Sequence, residues 1–112
     1  MRRFIVLIAI FLFAIHSVAA QGQLTLVSVN STGTGSGNRR SGDFGRYRIT
    51  PDGRFVVYYS EASDLFPLGA IGAADIFVRD LETGQTKMAS INMAGTPSTA
   101  GSNFGLISDN GR

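Results

Sequence analysis

The chain is 112 residues long, with ten Lys and Arg against eight Asp and Glu, one His, no Cys and no Trp; that length leaves room for one small domain. Arg2, Arg3 and His16 lie in an apolar leader, so beyond it eight basic residues face eight acidic ones and no His remains. This balance excludes Ser-His-Asp and Cys-His catalysis, the common zinc sites, disulfide staples, and a charge field able to gather nucleic acid or anionic lipid.

Residues 1–20 read as a secretory signal peptide. Met1, Arg2 and Arg3 supply a basic start, residues 4–15 are an unbroken apolar run, and Val18, Ala19 and Ala20 are the small residues a signal peptidase cuts after. The competing reading is an uncleaved anchor, but the run falls short of the roughly 20 residues that span a bilayer. Cleavage near Ala20 implies an exported protein, periplasmic or extracellular, with no stable membrane span afterwards.

Residues 24–29 (LTLVSV) alternate and are rich in β-branched side chains, predicting a strand. Residues 30–45 form a Gly-rich loop. It lacks both the Lys-Ser/Thr ending of a phosphate loop and GxGxxG spacing. Asn30, Ser31 and Thr32 match an N-glycosylation triplet, and Arg39 and Arg40 are too short a pair to form a basic patch. A short strand over 47–50 leads into Pro51, Asp52 and Gly53, where Asp-Gly between two apolar runs predicts a type I′ hairpin turn. Residues 54–60 (RFVVYYS) return antiparallel. Phe55, Val57 and Tyr59 point to one side, Val56 and Tyr58 to the other, so both faces need covering.

Residues 61–74 make a long connection, and loops of that length often carry binding, the competing reading being an ordinary connection between strands. Glu61 and Asp64 are its nearest carboxylate pair, the spacing a glycosidase reading would start from, although a solvated loop explains them as well. Residues 75–81 (DIFVRDL) predict a third strand, 82–85 a tight turn and 86–92 (TKMASIN) a fourth strand. Asp52 reads as a turn residue. Arg79 and Asp80 point to opposite faces and cannot pair with each other. Lys87 stands alone, with nothing to mark it as a nucleophile.

The borders of this unit repeat. Ser28, Val29, Asn30 and Gly33 recur as Ser90, Ile91, Asn92 and Gly95 at an offset of 62, and residues 49–54 (ITPDGR) recur as 107–112 (ISDNGR) at an offset of 58. The four-residue difference falls in the Gly-rich loop, where insertions are tolerated. A period of about 60 with four short strands suggests a propeller blade longer than the better-known repeats of roughly 40 to 50 residues.

ITPDGRFVVYYSEASDLF followed by DIFVRDLETGQTKMASIN resembles the TolB-like β-propeller repeat of exported bacterial proteins. The resemblance implies an all-β fold: an antiparallel four-stranded blade with its core at 47–92, a next repeat beginning near 87–112, and a partial propeller over 21–112 behind the signal helix. The 61–74 loop lacks the Asp/Asn-Gly-rich segment frequent in related repeats. With only Asp64 and Asp75 as carboxylates it falls short of the six to eight oxygens calcium takes. A propeller needs roughly four or more blades to close, so the chain reads as a fragment or truncated product whose 54–60 strand bares an apolar face. The function that follows is a protein-binding scaffold without catalysis, working through loop 61–74 or exposed blade faces. The alternative is the propeller part of a larger secreted hydrolase, a peptidase or carbohydrate-active enzyme. No catalytic, cofactor-binding or metal-binding residue is assigned, and no nucleic-acid partner.

Overall fold

The computed structural model describes residues 22–69 and 74–111; the leader, and with it the signal helix, lies outside them. The fold is all-β. Four strands, β1 (Tyr47–Ile49), β2 (Phe55–Ser60), β3 (Asp75–Asp80) and β4 (Gln85–Met88), form one antiparallel meander in the order β1-β2-β3-β4.

The β1–β2 turn differs from the type I′ hairpin its Asp-Gly predicts. Gly53 N–H donates to Thr50 O at 2.8 Å, which makes Pro51 and Asp52 the central residues. Proline fixes φ near −65°, whereas type I′ needs positive φ at both central positions. The left-handed residue is instead Gly53, at φ 72°, and the loop is one of four residues closed by the Thr50–Phe55 pair. Thr50 Oγ1 donates to Asp52 Oδ1 at 2.5 Å, and that carboxylate accepts Arg54 N–H at 3.0 Å. Asp52 is therefore a turn residue, as expected. The β3–β4 turn also uses an aspartate side chain and a left-handed glycine, one position later: Asp80 Oδ1 accepts the N–H groups of Glu82 and Thr83, and Gly84, at φ 70°, donates to Asp80 O at 2.9 Å.

Strand alternation splits the core into two faces. Val56, Tyr58, Phe77 and Met88 share one face, packed with Ala62 and Leu65 from the β2–β3 connection and with Val27, Phe66 and Leu81. Val57, Tyr59 and Ile76 share the other, with Ala74, Val78 and Ile107. The backbone of the C-terminal segment lies directly on this second face. A Cβ at Gly105 would come within 2.5 Å of Ile76 Cγ2, and one at Gly111 within 2.5 Å of the Phe55 ring. The expectation that residues 54–60 bare an apolar face is thus not met, since Val57 is 2% exposed and Tyr58 3%. Flanking segments of the same chain do the covering; within the four strands the large apolar residues left open are Tyr47 (55%) and Ile49 (58%) on the edge strand β1, and outside them Leu24, Leu26, Leu68, Ile91, Met93, Phe104 and Leu106 are exposed.

Two further strands come out shorter than their sequences suggest. Residues 24–29 make no ladder, only an isolated Val29–Ser36 bridge. A β-prone run stays unladdered without a neighbour to receive its N–H and C=O groups, and among the described residues no strand lies alongside. β4 stops at Met88 because the chain then uses a side chain in place of backbone: Ser90 Oγ accepts Ile76 N–H at 3.1 Å and donates to Asp75 Oδ1 at 2.7 Å. That contact gives the buried Asp75 carboxylate a polar partner.

Candidate functional site

Residues 61–69 of the long connection lie against the Gly-rich loop, and polar side chains hold the two together. Asn38 exchanges a pair of contacts with Ser63, accepting its N–H at 3.0 Å and donating Nδ2 to its Oγ at 2.9 Å. Asp64 Oδ1 accepts Asn38 N–H at 2.9 Å, and Asp64 O accepts Ser31 N–H at 2.7 Å. Glu61 Oε1 lies 2.7 Å from Arg40 Nη2 and accepts the Tyr59 hydroxyl at 3.0 Å. Gly37 sits so close to Ala62 and Leu65 that a Cβ there would lie 2.9 Å and 2.8 Å from them, which explains a glycine at that point of the loop. Beneath, Ser41 Oγ and the fully buried Ser60 Oγ are 2.8 Å apart.

This geometry decides what Glu61 and Asp64 do. The hydrogen bond and charge of Arg40 hold the Glu61 carboxyl below its ordinary range, whereas a general acid needs its pKa raised. Asp64 is committed to the backbone of the facing loop. Both carboxylates fasten the Gly-rich loop to the sheet. Of the remaining stretch of the connection, Leu68 is exposed and residues 70–73 lie outside the described residues.

The charged residues of β3 meet partners on either side of the strand and not each other. Arg79 Nη1 donates to Thr86 Oγ1 of β4 at 3.0 Å. Asp80 takes a two-point grip from Arg54, at 3.2 Å from Nε and 2.9 Å from Nη2, while Arg54 Nη1 reaches Glu82 at 2.6 Å. The Arg54 contact holds the Asp80 carboxyl far below the usual carboxylate range. The Arg of the Asp-Gly-Arg turn and the Asp of the third strand thus join the two hairpin loops across 26 residues of sequence. Lys87 is exposed on β4.

The loop repeat has a structural counterpart that sequence matching only partly captured. Asn30 Oδ1 accepts Thr34 N–H at 2.9 Å, and its Nδ2 donates to Thr34 Oγ1 at 3.1 Å. Asn92 does the same to Thr96, at 3.1 Å and 2.7 Å. Gly33 and Gly95 donate to their Asn carbonyls at 2.9 Å, with φ of 73° and 75°. The second border repeats too: Gly111 N–H donates to Ser108 O at 2.9 Å, and Ser108 Oγ to Asn110 Oδ1 at 2.7 Å, as Gly53 and Thr50 do at the first turn. Thr34 and Thr96 also correspond at the offset of 62, and an Asn followed four residues later by Thr is the sequence signal of this loop. One of the four inserted residues is also located, since Asn30 N–H reaches Gly35 O where Asn92 N–H reaches Thr96 O. The side chain of Asn30 is spent on this loop, as that of Asn92 is without any glycosylation triplet.

Comparison of the chain with protein-family models, with curated proteins and with solved structures gives no match. Among the described residues no three His, Cys, Asp or Glu come together in a way that could hold a metal ion, and no helix is long and apolar enough to cross a membrane. Shallow grooves complete the surface. One of about 210 Å³ runs between Val27, Ser41, Tyr47, Val56 and Tyr58. Another of about 280 Å³ opens by Arg79.

Proposed function

We propose that the chain is an exported protein of TolB-like propeller repeats that serves as a protein-binding scaffold without chemistry of its own. The observation that supports this reading is the paired loop geometry: the Asn30 and Asn92 loops, and the Thr50 and Ser108 turns, bracket one four-stranded meander with the same hydrogen bonds at both ends. A tandem-repeat fold presents edges and loops as its working surface. Three of the exposed apolar residues, Tyr47 and Ile49 on β1 and Leu68 on the connection, lie on such an edge and such a loop. No observation favours a hydrolase, because Glu61 and Asp64 are occupied in holding the Gly-rich loop.

Expression of the whole chain in a secreting bacterial host tests the proposal. The exported form should begin at Gln21, and a photocross-linking residue in place of Leu68 should trap one discrete protein. Retention with the leader intact would overturn the reading. So would a hydrolytic activity that Glu61→Gln abolishes.

A further inference from the structure

Each edge of the four-stranded meander carries a cation in its middle. On β1, Tyr47 and Ile49 flank Arg48, and on β4, Thr86 and Met88 flank Lys87. Both cations are exposed, and among the described residues neither has a carboxylate within ion-pairing distance. The ladder between β1 and β2 decides which backbone groups of the edge point outwards. Tyr59 N–H donates to Arg46 O at 3.0 Å and Thr50 N–H to Phe55 O at 2.9 Å. By the alternation of an antiparallel ladder Arg48 is then turned towards Val57, and the N–H and C=O groups of Tyr47 and Ile49 face away from the sheet. Among the described residues no hydrogen bond reaches either N–H, and Tyr47 O is met by Arg48 itself, whose Nη1 donates to it at 2.8 Å. The guanidinium therefore stands at the open edge, 5.9 Å from the centre of the exposed Phe104 ring.

An open edge of this kind takes a further strand, and charge decides which. Ala89 N–H donates to Ile76 O at 2.7 Å, so on β4 it is Thr86 and Met88 whose backbone groups point outwards. A second copy of the chain, paired antiparallel through both outward rungs, would set Arg48 opposite Arg48, Arg48 opposite Lys87, or Lys87 opposite Lys87. Like charges directly opposite destabilise a pair of strands, and opposite charges stabilise it. The same register with a carboxylate in the middle position turns repulsion into attraction. Of the two edges, β1 has the more to gain from a new neighbour. Its flanking side chains, Tyr47 and Ile49, are apolar and exposed, whereas on β4 Met88 is already buried and Thr86 is polar. Residues opposite Tyr47 and Ile49 would point to the same side of the sheet as they do, so apolar side chains there would shield both.

We infer that the β1 edge accepts, as an added antiparallel strand, an extended segment of a partner protein with an apolar–acidic–apolar sequence, its carboxylate against Arg48 and its apolar side chains beside Tyr47 and Ile49. This names a partner chemistry for the scaffold reading, on which it rests.

Titration of the whole chain at low salt with the peptide acetyl-TVEVT-amide, followed by amide chemical shifts, tests the site. Saturable binding is expected with a dissociation constant on the order of 1 mM, with shifts centred on Tyr47, Arg48 and Ile49. Acetyl-TVKVT-amide should bind about fivefold more weakly, because an exposed attraction becomes a repulsion of similar size. N-methylation of both Val residues removes the donors of the two rungs and should weaken the acidic peptide about tenfold or more. Arg48→Glu should reverse the order of the Glu and Lys peptides; far-UV circular dichroism establishes that the variant is folded, and if it is not, the three peptides on the wild-type chain carry the comparison. Absence of saturation, shifts centred away from 47–49, equal binding of the Glu and Lys peptides, or undiminished binding after N-methylation would each overturn the assignment. So would Tyr47 and Ile49 shifts that follow the concentration of the chain itself, which would give the edge to a second copy. A failed titration would strike this edge and leave the scaffold reading to the cross-link at Leu68, which does not involve β1.

Discussion

Asp80 does more for the unit than any other single charge, because one carboxylate caps its own turn and anchors the turn opposite. It accepts Glu82 N–H at 2.9 Å while Arg54 holds it from across the sheet. Its pKa is lowered from an ordinary 3.8, first by the Arg54 hydrogen bond, and that of Glu61 is lowered from 4.5 by Arg40. A depressed carboxylate contributes stability above its unfolded pKa and loses it as pH falls through the folded one. The melting temperature should therefore hold steady down to about pH 5 and then decline as the pH is lowered further. Asp80→Asn should melt lower at neutral pH and show a shallower acid decline; equal slopes for wild type and variant would contradict this role. The aromatic neighbour Tyr58 shows the opposite influence, with burial pushing its phenol up to about 12. The nearby Thr86 hydroxyl and Arg79 charge offset that only in part, and no atom meets the phenol in hydrogen-bond geometry.

Among the elements, the strands were legible where composition and pairing agree. FVVYYS and DIFVRD each hold an unbroken run of β-branched and aromatic residues, 55–59 and 76–78, and they pair over six residues. LTLVSV is also rich in β-branched residues and forms no ladder, because strand propensity reports fit to a pleated sheet and needs a partner. Asp-Gly points to a type I′ turn only where no proline precedes it, and Pro51 moves the turn one residue back. Glu61 and Asp64 were visible as a pair, but their partners Arg40 and Asn38 lie more than 20 residues away. Nothing local in the sequence announces them. The Asn loops are the elements whose equivalence can be measured. Asn30→Ala removes four neutral side-chain hydrogen bonds and Asn92→Ala three, from exposed loops of the same shape, so each should cost about 1–2 kcal/mol in urea unfolding. A large loss at one position and none at the other would mean that the two loops do not do the same work.

At the scale of the whole molecule, the four-stranded unit is covered on both faces by the segments that flank it. Val27 and the 62–66 stretch lie on the Phe77 side, and residues 105–107 lie on the Ile76 side. Covering matters because β2 is apolar in both directions, and burial of each large apolar side chain contributes about 1.5–3 kcal/mol. A chain of this size without disulfides has little else to draw on. The sequence alone pointed to bare faces awaiting neighbours, since it gives no sign that glycines at 105 and 111 let the backbone settle onto Ile76 and Phe55. Seating of that segment is the step on which the covered unit depends. Methyl and Hα nuclear Overhauser contacts in the folded chain test it most directly. Gly105 Hα should show contacts to the Ile76 and Val57 methyls, and Ile107 to the same side of the sheet; a spectrum that keeps the β2–β3 contacts but shows none from residues 105–107 would contradict it.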